Sequence, residues 1–170
     1  MEAPVIWFHA PDGARLGAVE ELARRLLGEF PAAELVITGD VAAAQRKDPL
    51  DIRLIDRLGE SRSDILAFLR DVTPSVLLWV GGSLHGTLLS EVEAAGLPRY
   101  LIDARQSDFE ESRLPWKRMR QKAMLRRFER ILAVDERAAA ALAAQGARPG
   151  TVEIAGAVEE SGAALPHSEA

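Results

Sequence analysis

Four side chains able to act as a general acid or base lie at or just after the end of an apolar run: His9, Asp12, His85 and Asp103. Transfer to a hydroxyl group needs a base within hydrogen-bond reach of that hydroxyl, and each of these residue types can supply one. Asp12 sits inside Pro11-Asp12-Gly13, so it reads either as a catalytic base or as the aspartate of a tight turn. His9 reads as a substrate ligand or as a histidine hydrogen-bonded into its own loop. Arg105 could clamp a phosphate or carboxylate through paired hydrogen bonds; its alternative is an ion pair with Asp103 or Asp108. Gly81-Gly82-Ser83 could cradle an anion on backbone N–H groups ahead of a helix, or could simply turn the chain. No cluster of metal ligands is visible, and with no cysteine there are no disulfides, thiolate metal sites or cysteine nucleophiles. Neither a metal nor a cofactor is expected.

These residues need elements that bring them together, and Ser75 to Ser107 shows how. Ser75 to Val80 is an apolar run after Pro74, and Gly81 and Gly82 break it. Leu84, Leu88, Leu89 and Val92 then recur at helical spacing until Gly96 and Pro98, and Tyr100 to Ile102 is a second apolar run. This is a strand, helix, strand unit, with a right-handed crossover if the strands are parallel neighbours. Both strands then end on one edge of the sheet, where ligands of open α/β sheets bind. Gly81 to Ser83 and Asp103 to Ser107 are therefore expected to line one crevice together with His9 and Asp12.

The rest of the chain repeats the alternation. Val5 to Phe8 is a first strand. Leu16, Val19, Leu22, Ala23, Leu26 and Leu27 form the apolar face of a helix that Gly28 and Pro31 end. Leu35 to Ile37 is a second strand, Val41 to Arg46 a short helix, and Asp51 to Leu58 a strand interrupted by Arg53, Asp56 and Arg57. Ser63 is the expected N-cap of a helix carrying Ile65, Leu66, Phe68 and Leu69. After a polar loop, Pro115 opens a helical stretch to about Arg130. Arg113, Lys117, Arg118, Arg120, Lys122, Arg126, Arg127 and Arg130 stand there against one acid, Glu129. Ile131 to Val134, an alanine-rich helix from Glu136 to Gln145, and Val152 to Ile154 complete the series. About seven strands alternating with helices imply a doubly wound parallel sheet, a Rossmann-like α/β fold.

At 170 residues, 48% of them hydrophobic, the chain fits one domain with a real core. Residues 1–156 are expected to form it, with 157–170 a linker rich in Gly, Ala, Ser and Glu towards a second domain. A net charge of -5 argues against nucleic acid as the partner. The basic stretch from Arg113 to Arg130 could meet an anionic membrane surface or be a solvated outer face.

Four stretches resemble the N-terminal domain of 3-deoxy-D-manno-octulosonic acid (Kdo) transferases, which move Kdo from CMP-Kdo onto lipid A. Val5-Ile6-Trp7-Phe8-His9-Ala10 is similar to the family's first strand and its His-Ala. Gly96 through Ser107 is similar to its Gly-Ile-Pro segment leading into Asn-Ala-Arg-Leu-Ser. Phe68 to Trp79 and Ile131 to Gly156 resemble the stretches before its Glu-Thr-Glu-Leu-Trp-Pro-Asn motif and at its close. The resemblance covers nearly the whole chain in order.

The resemblance implies the N-terminal half of a GT-B type glycosyltransferase, with CMP-Kdo and a lipid A precursor as partners. A C-terminal nucleotide-sugar domain would complete it, and it would sit in the cytoplasm, peripheral to the inner membrane of a Gram-negative bacterium. At three places the chain departs from the family. His-Ala leads in the family into Ser-Val-Gly-Glu, whose glutamate is the proposed base; here Pro11, Asp12, Gly13, Ala14 and Arg15 follow. The Glu-Thr-Glu motif falls on Gly81, Gly82 and Ser83, and Asn-Ala-Arg-Leu-Ser becomes Asp103, Ala104, Arg105, Gln106 and Ser107. Two expectations stand: an acceptor-side transferase domain, inactive alone, with Asp12 as candidate base and His9, Gly81, Gly82, Ser83, Asp103, Arg105 and Ser107 as substrate ligands; or a binding-only domain that has lost the base.

Overall fold

The computed structural model describes residues 2–41, 51–109 and 111–158. Seven strands form one sheet: β1 (Val5–Ala10), β2 (Glu34–Gly39), β3 (Ile52–Asp56), β4 (Val76–Val80), β5 (Arg99–Ala104), β6 (Arg130–Ala133) and β7 (Val152–Ile154). All pairings are parallel, and the order is β3-β2-β1-β4-β5-β6-β7. The strands read as apolar runs because a parallel sheet buries both faces. Alternation along β1 sends Trp7 to one side and Phe8 to the other, and both are fully buried.

Helix α1 (Leu16–Glu29) packs Leu16, Val19 and Ala23 with Phe8, Leu35, Ile37 and Ile52 on one face. Helices α2 (Arg62–Val72), α3 (Gly86–Ala94), α4 (Pro115–Leu125) and α5 (Glu136–Ala144) contribute to the core on the other face, around Trp7, Leu77, Trp79, Leu101 and Ile131. The order therefore switches between β1 and β4: β1 leads to α1 on one face and β4 to α3 on the other. Loops leaving those two strands diverge, which opens a crevice at the carboxyl edge.

Several boundaries differ from the sequence reading, each for a local reason. Ser61, not Ser63, caps α2: its backbone is extended and its hydroxyl accepts from the Asp64 N–H at 3.1 Å. Helix α4 stops at Leu125 instead of continuing to about Arg130, because Arg130 is paired with Tyr100 in the sheet and the chain must turn first. The charged strand β3 does form. It lies at the sheet edge, where charge is tolerated, and Arg53 pairs with Asp71 at 2.6 Å. The short helix expected at Val41 to Arg46 lies, beyond Val41, outside the described residues. So does the tail from 159 onward.

Candidate active site

A cavity of about 570 Å³ opens at the carboxyl edge between the ends of β1, β2 and β3 and the loop after β4. Its polar lining is His9, Asp40, Arg57, Glu60, Ser83 and His85, and Ile65, Leu84 and Leu88 give it an apolar wall. Donors and carboxylates around an apolar patch suit a ligand with many hydroxyl groups.

His9 is held by its neighbours. The Trp7 indole N–H donates to Thr38 Oγ1 at 2.8 Å, and His9 Nδ1 lies 2.8 Å from the same oxygen. An indole can only donate, so the threonine oxygen accepts from Trp7 and either donates to His9 Nδ1 or accepts from it, according to the ring's tautomer. The edge of the ring meets Trp79 at 4.4 Å between centroids. Burial, and secondarily the charge of His85, push the His9 pKa down to about 3, so His9 is a neutral donor and a poor base.

That shift has a measurable consequence. The folded pKa lies below the unfolded value of about 6.5, so between the two the unfolded chain takes up a proton that the native chain does not. Stability is full above pH 6.5 and falls as the pH drops towards 3, by at most about 1.4 kcal/mol per pH unit from this group. Urea unfolding from pH 7 to 4.5 should show a steeper loss for the unsubstituted protein than for His9→Gln, in which the carboxylates still titrate. Equal slopes would contradict the assignment.

Asp12 has the geometry of a cap: its Oδ1 accepts from the Ala14 N–H at 3.0 Å, and its side chain is half-exposed beside Arg15. Gly82 lies against Pro11 and Asp12, and at Gly81 an added Cβ would stand 1.3 Å from Arg15 Nη1. Both glycines have positive φ, +38° and +67°, which L side chains rarely adopt. The glycine pair does not open α3. The helix begins at Gly86, and His85 Nδ1 caps it by accepting from the Leu88 N–H at 3.2 Å.

Asp103 is buried at φ +51°, where the β5–β6 register shifts. It accepts from Arg105 Nε at 3.2 Å and from the Val158 N–H at 3.0 Å. Arg15, itself buried, donates to the Asp103 carbonyl at 3.1 Å and to Asp108 at 2.5 Å. Arg105 thus takes up the ion pair with Asp103 that its sequence position offered, with its side chain still 43% exposed. Ser107 lies in a separate cavity of about 730 Å³ with Gln106, Phe109 and Arg137.

The single crevice expected from the sequence therefore divides. His9 and Ser83 line the pocket; Gly82, Asp12, Arg15, Gly81, Asp103 and Arg105 form a run of contacts beside it; Ser107 stands apart. Sequence reasoning passed over Asp40, Arg57 and Glu60. Asp40 ends Thr38-Gly39-Asp40 at the carboxyl end of β2, and the rule that selected Asp12 and Asp103 would have selected it too.

Solved structures with this fold include the UDP-N-acetylglucosamine 2-epimerase from Rickettsia bellii, with 14% identity and a TM-score of 0.61 over 92% of this chain and 45% of that one. The UDP-GlcNAc 2-epimerase from Methanocaldococcus jannaschii shares 11% identity with a TM-score of 0.60, over 90% and 45% of the two chains. The enzyme of that name from Neisseria meningitidis, bound to UDP-GlcNAc, shares 12% with a TM-score of 0.59, over 91% and 46%. At these identities the likeness defines a class by fold, a Rossmann-like α/β domain, and the chain spans less than half the length of each of these proteins. No curated protein matches it. The family model of 3-deoxy-D-manno-octulosonic-acid transferase (Kdo transferase) matches residues 1–159. The chain belongs to that family.

Proposed function

We propose that this chain is the acceptor-side domain of a Kdo transferase-like enzyme that moves Kdo from CMP-Kdo to a lipid A precursor, with a C-terminal domain holding the nucleotide sugar. The observation that carries the reading is the pocket at the strand order's switch, where Asp40, Glu60, Arg57 and the neutral donor His9 face one space. A sugar acceptor offers hydroxyl groups to such carboxylates and oxygen lone pairs to such donors. Incubating the full-length protein with CMP-Kdo and a lipid A precursor should release CMP and add the mass of Kdo to the acceptor. Acceptor binding without turnover would favour the binding-only reading.

The acceptor is a lipid, and the basic element suits a membrane. Leu114, Trp116 and Met119 are 46%, 58% and 73% exposed, and Arg113, Lys117, Arg118 and Arg120 are exposed among them. Lys117 Nζ lies 5.5 Å from the Trp116 ring centroid. Exposed apolar side chains amid cations fit an anionic headgroup region, where each Lys or Arg contributes about 1 kcal/mol. On this reading the protein works at the cytoplasmic surface of the inner membrane. Sedimentation with vesicles should show binding that needs anionic lipid, weakens with salt, and drops about tenfold or more in Lys117→Glu/Arg118→Glu. Equal binding to neutral vesicles would refute it.

A further inference from the structure

We propose that Asp40 is the general base of the pocket. The proposal rests on the transferase reading and adds to it the residue that activates the acceptor. Asp40 follows β2 directly and lines the cavity with His9. It is half-buried, and among the described residues no hydrogen bond or ion pair engages its side chain. Its carboxylate lies over Gly13 in the turn after β1, so close that a Cβ on Gly13 would stand 3.1 Å from Oδ2. The residue thus lines the pocket with its carboxylate beside the turn that follows β1.

The other candidates at this edge are committed elsewhere. Asp12 caps the turn that follows β1 through its bond to Ala14. Asp103 is buried under Arg15 and Arg105. His9 has Nδ1 occupied by Thr38, and its protonation is suppressed. His85 Nδ1 is taken by the cap of α3. Glu60 stands at the open mouth of the pocket, its side chain 84% exposed and its carboxylate 3.8 Å from His85 Nε2. Asp40 alone of these pairs an unengaged carboxylate with a place in the pocket wall, and a base must reach the hydroxyl it deprotonates.

The step balances as follows. The acceptor hydroxyl loses its proton to an Asp40 oxygen while its own oxygen forms a bond to the anomeric carbon of the nucleotide-activated sugar. The bond from that carbon to the phosphate oxygen breaks, and its electron pair leaves on the nucleoside monophosphate. The proton passes from Asp40 to solvent. In its Nε2–H tautomer His9, which lines the same cavity, donates to an acceptor oxygen and so orients it.

The test is steady-state kinetics of the full-length protein with CMP-Kdo and a lipid A precursor. Asp40→Asn should lower kcat by about 10²- to 10⁴-fold with KM changed only a few-fold. Its melting temperature should be unchanged, because no partner is lost. Asp40→Glu should recover part of the rate. A kcat for Asp40→Asn within threefold of the unsubstituted protein overturns the assignment and leaves the transferase reading standing. No turnover by the unsubstituted protein overturns both.

Discussion

Arg15→Met is expected to lower the stability of this domain by about 3–5 kcal/mol, the cost of removing one partner from a buried ion pair. The arginine side chain is 9% exposed, and the two carboxylates it serves, Asp103 and Asp108, are 1% and 8% exposed. Methionine retains most of the apolar stem, so the change isolates the lost charge and hydrogen bonds. Asp108 would keep only the Arg105 N–H, at 2.9 Å, and Asp103 would keep Arg105 and the Val158 N–H. Neither is neutralised as before. The guanidinium also joins three segments: the turn after β1, the Gly81 corner after β4, and the loop after β5. A lysine in its place should recover little, since one ammonium group cannot reproduce the planar fork that bonds the Asp103 carbonyl and Asp108 together. Urea unfolding measures the effect, and salt should alter it little because buried pairs are weakly screened. A loss below 1 kcal/mol for Arg15→Met would show that water or a rearranged Arg105 replaces the bridge.

The same residue marks the limit of what the sequence disclosed. Strand positions were legible because a parallel sheet demands continuous apolar runs, and Val76 to Val80 or Ile131 to Ala133 can be little else. Turn residues were legible for the same kind of reason: Gly81, Gly82 and Gly146 all occupy positive φ. Arg15 was not. It reads as a surface residue at a helix start, and only the folding of β5 beside β4 brings Asp103 and Asp108, some ninety positions later, to meet it. The pocket has the same character, since its wall comes from the ends of several strands and Asp40, Arg57 and Glu60 share no spacing with His9. For Arg105 the sequence offered two readings, and the structure fills one of them with Asp103. The half-exposed guanidinium still has room to meet an anion. The early stop of α4 shows propensity yielding to register, because β6 must begin at Arg130 to pair with Tyr100.

Residues 1–170 alone are expected not to transfer Kdo, whatever the full-length protein does. On the proposed function the acceptor lies in the pocket between β1, β2, β3 and α3, while the resemblance assigns the nucleotide sugar mainly to the C-terminal domain. The reacting carbon would then have no wall to hold it against the acceptor hydroxyl. Losing that proximity forfeits up to roughly 7–11 kcal/mol of barrier reduction, whereas losing a general base costs about 10²- to 10⁴-fold in rate, or some 3–5 kcal/mol. On the proposed division of labour, the nucleotide-sugar domain therefore outweighs any single substitution within this one, including Asp40→Asn. A parallel pair of assays decides the matter: CMP-Kdo and a lipid A precursor with the 170-residue chain, its cooperative unfolding checked first, and with the full-length protein. The expected result is CMP release only from the second, with acceptor binding retained by the first. Turnover by the folded chain alone would mean that the carboxyl edge of this one sheet holds both reactants, with the nucleotide in the remaining cavities along Ser107 and Arg137, and the division of labour between two domains would have to be abandoned.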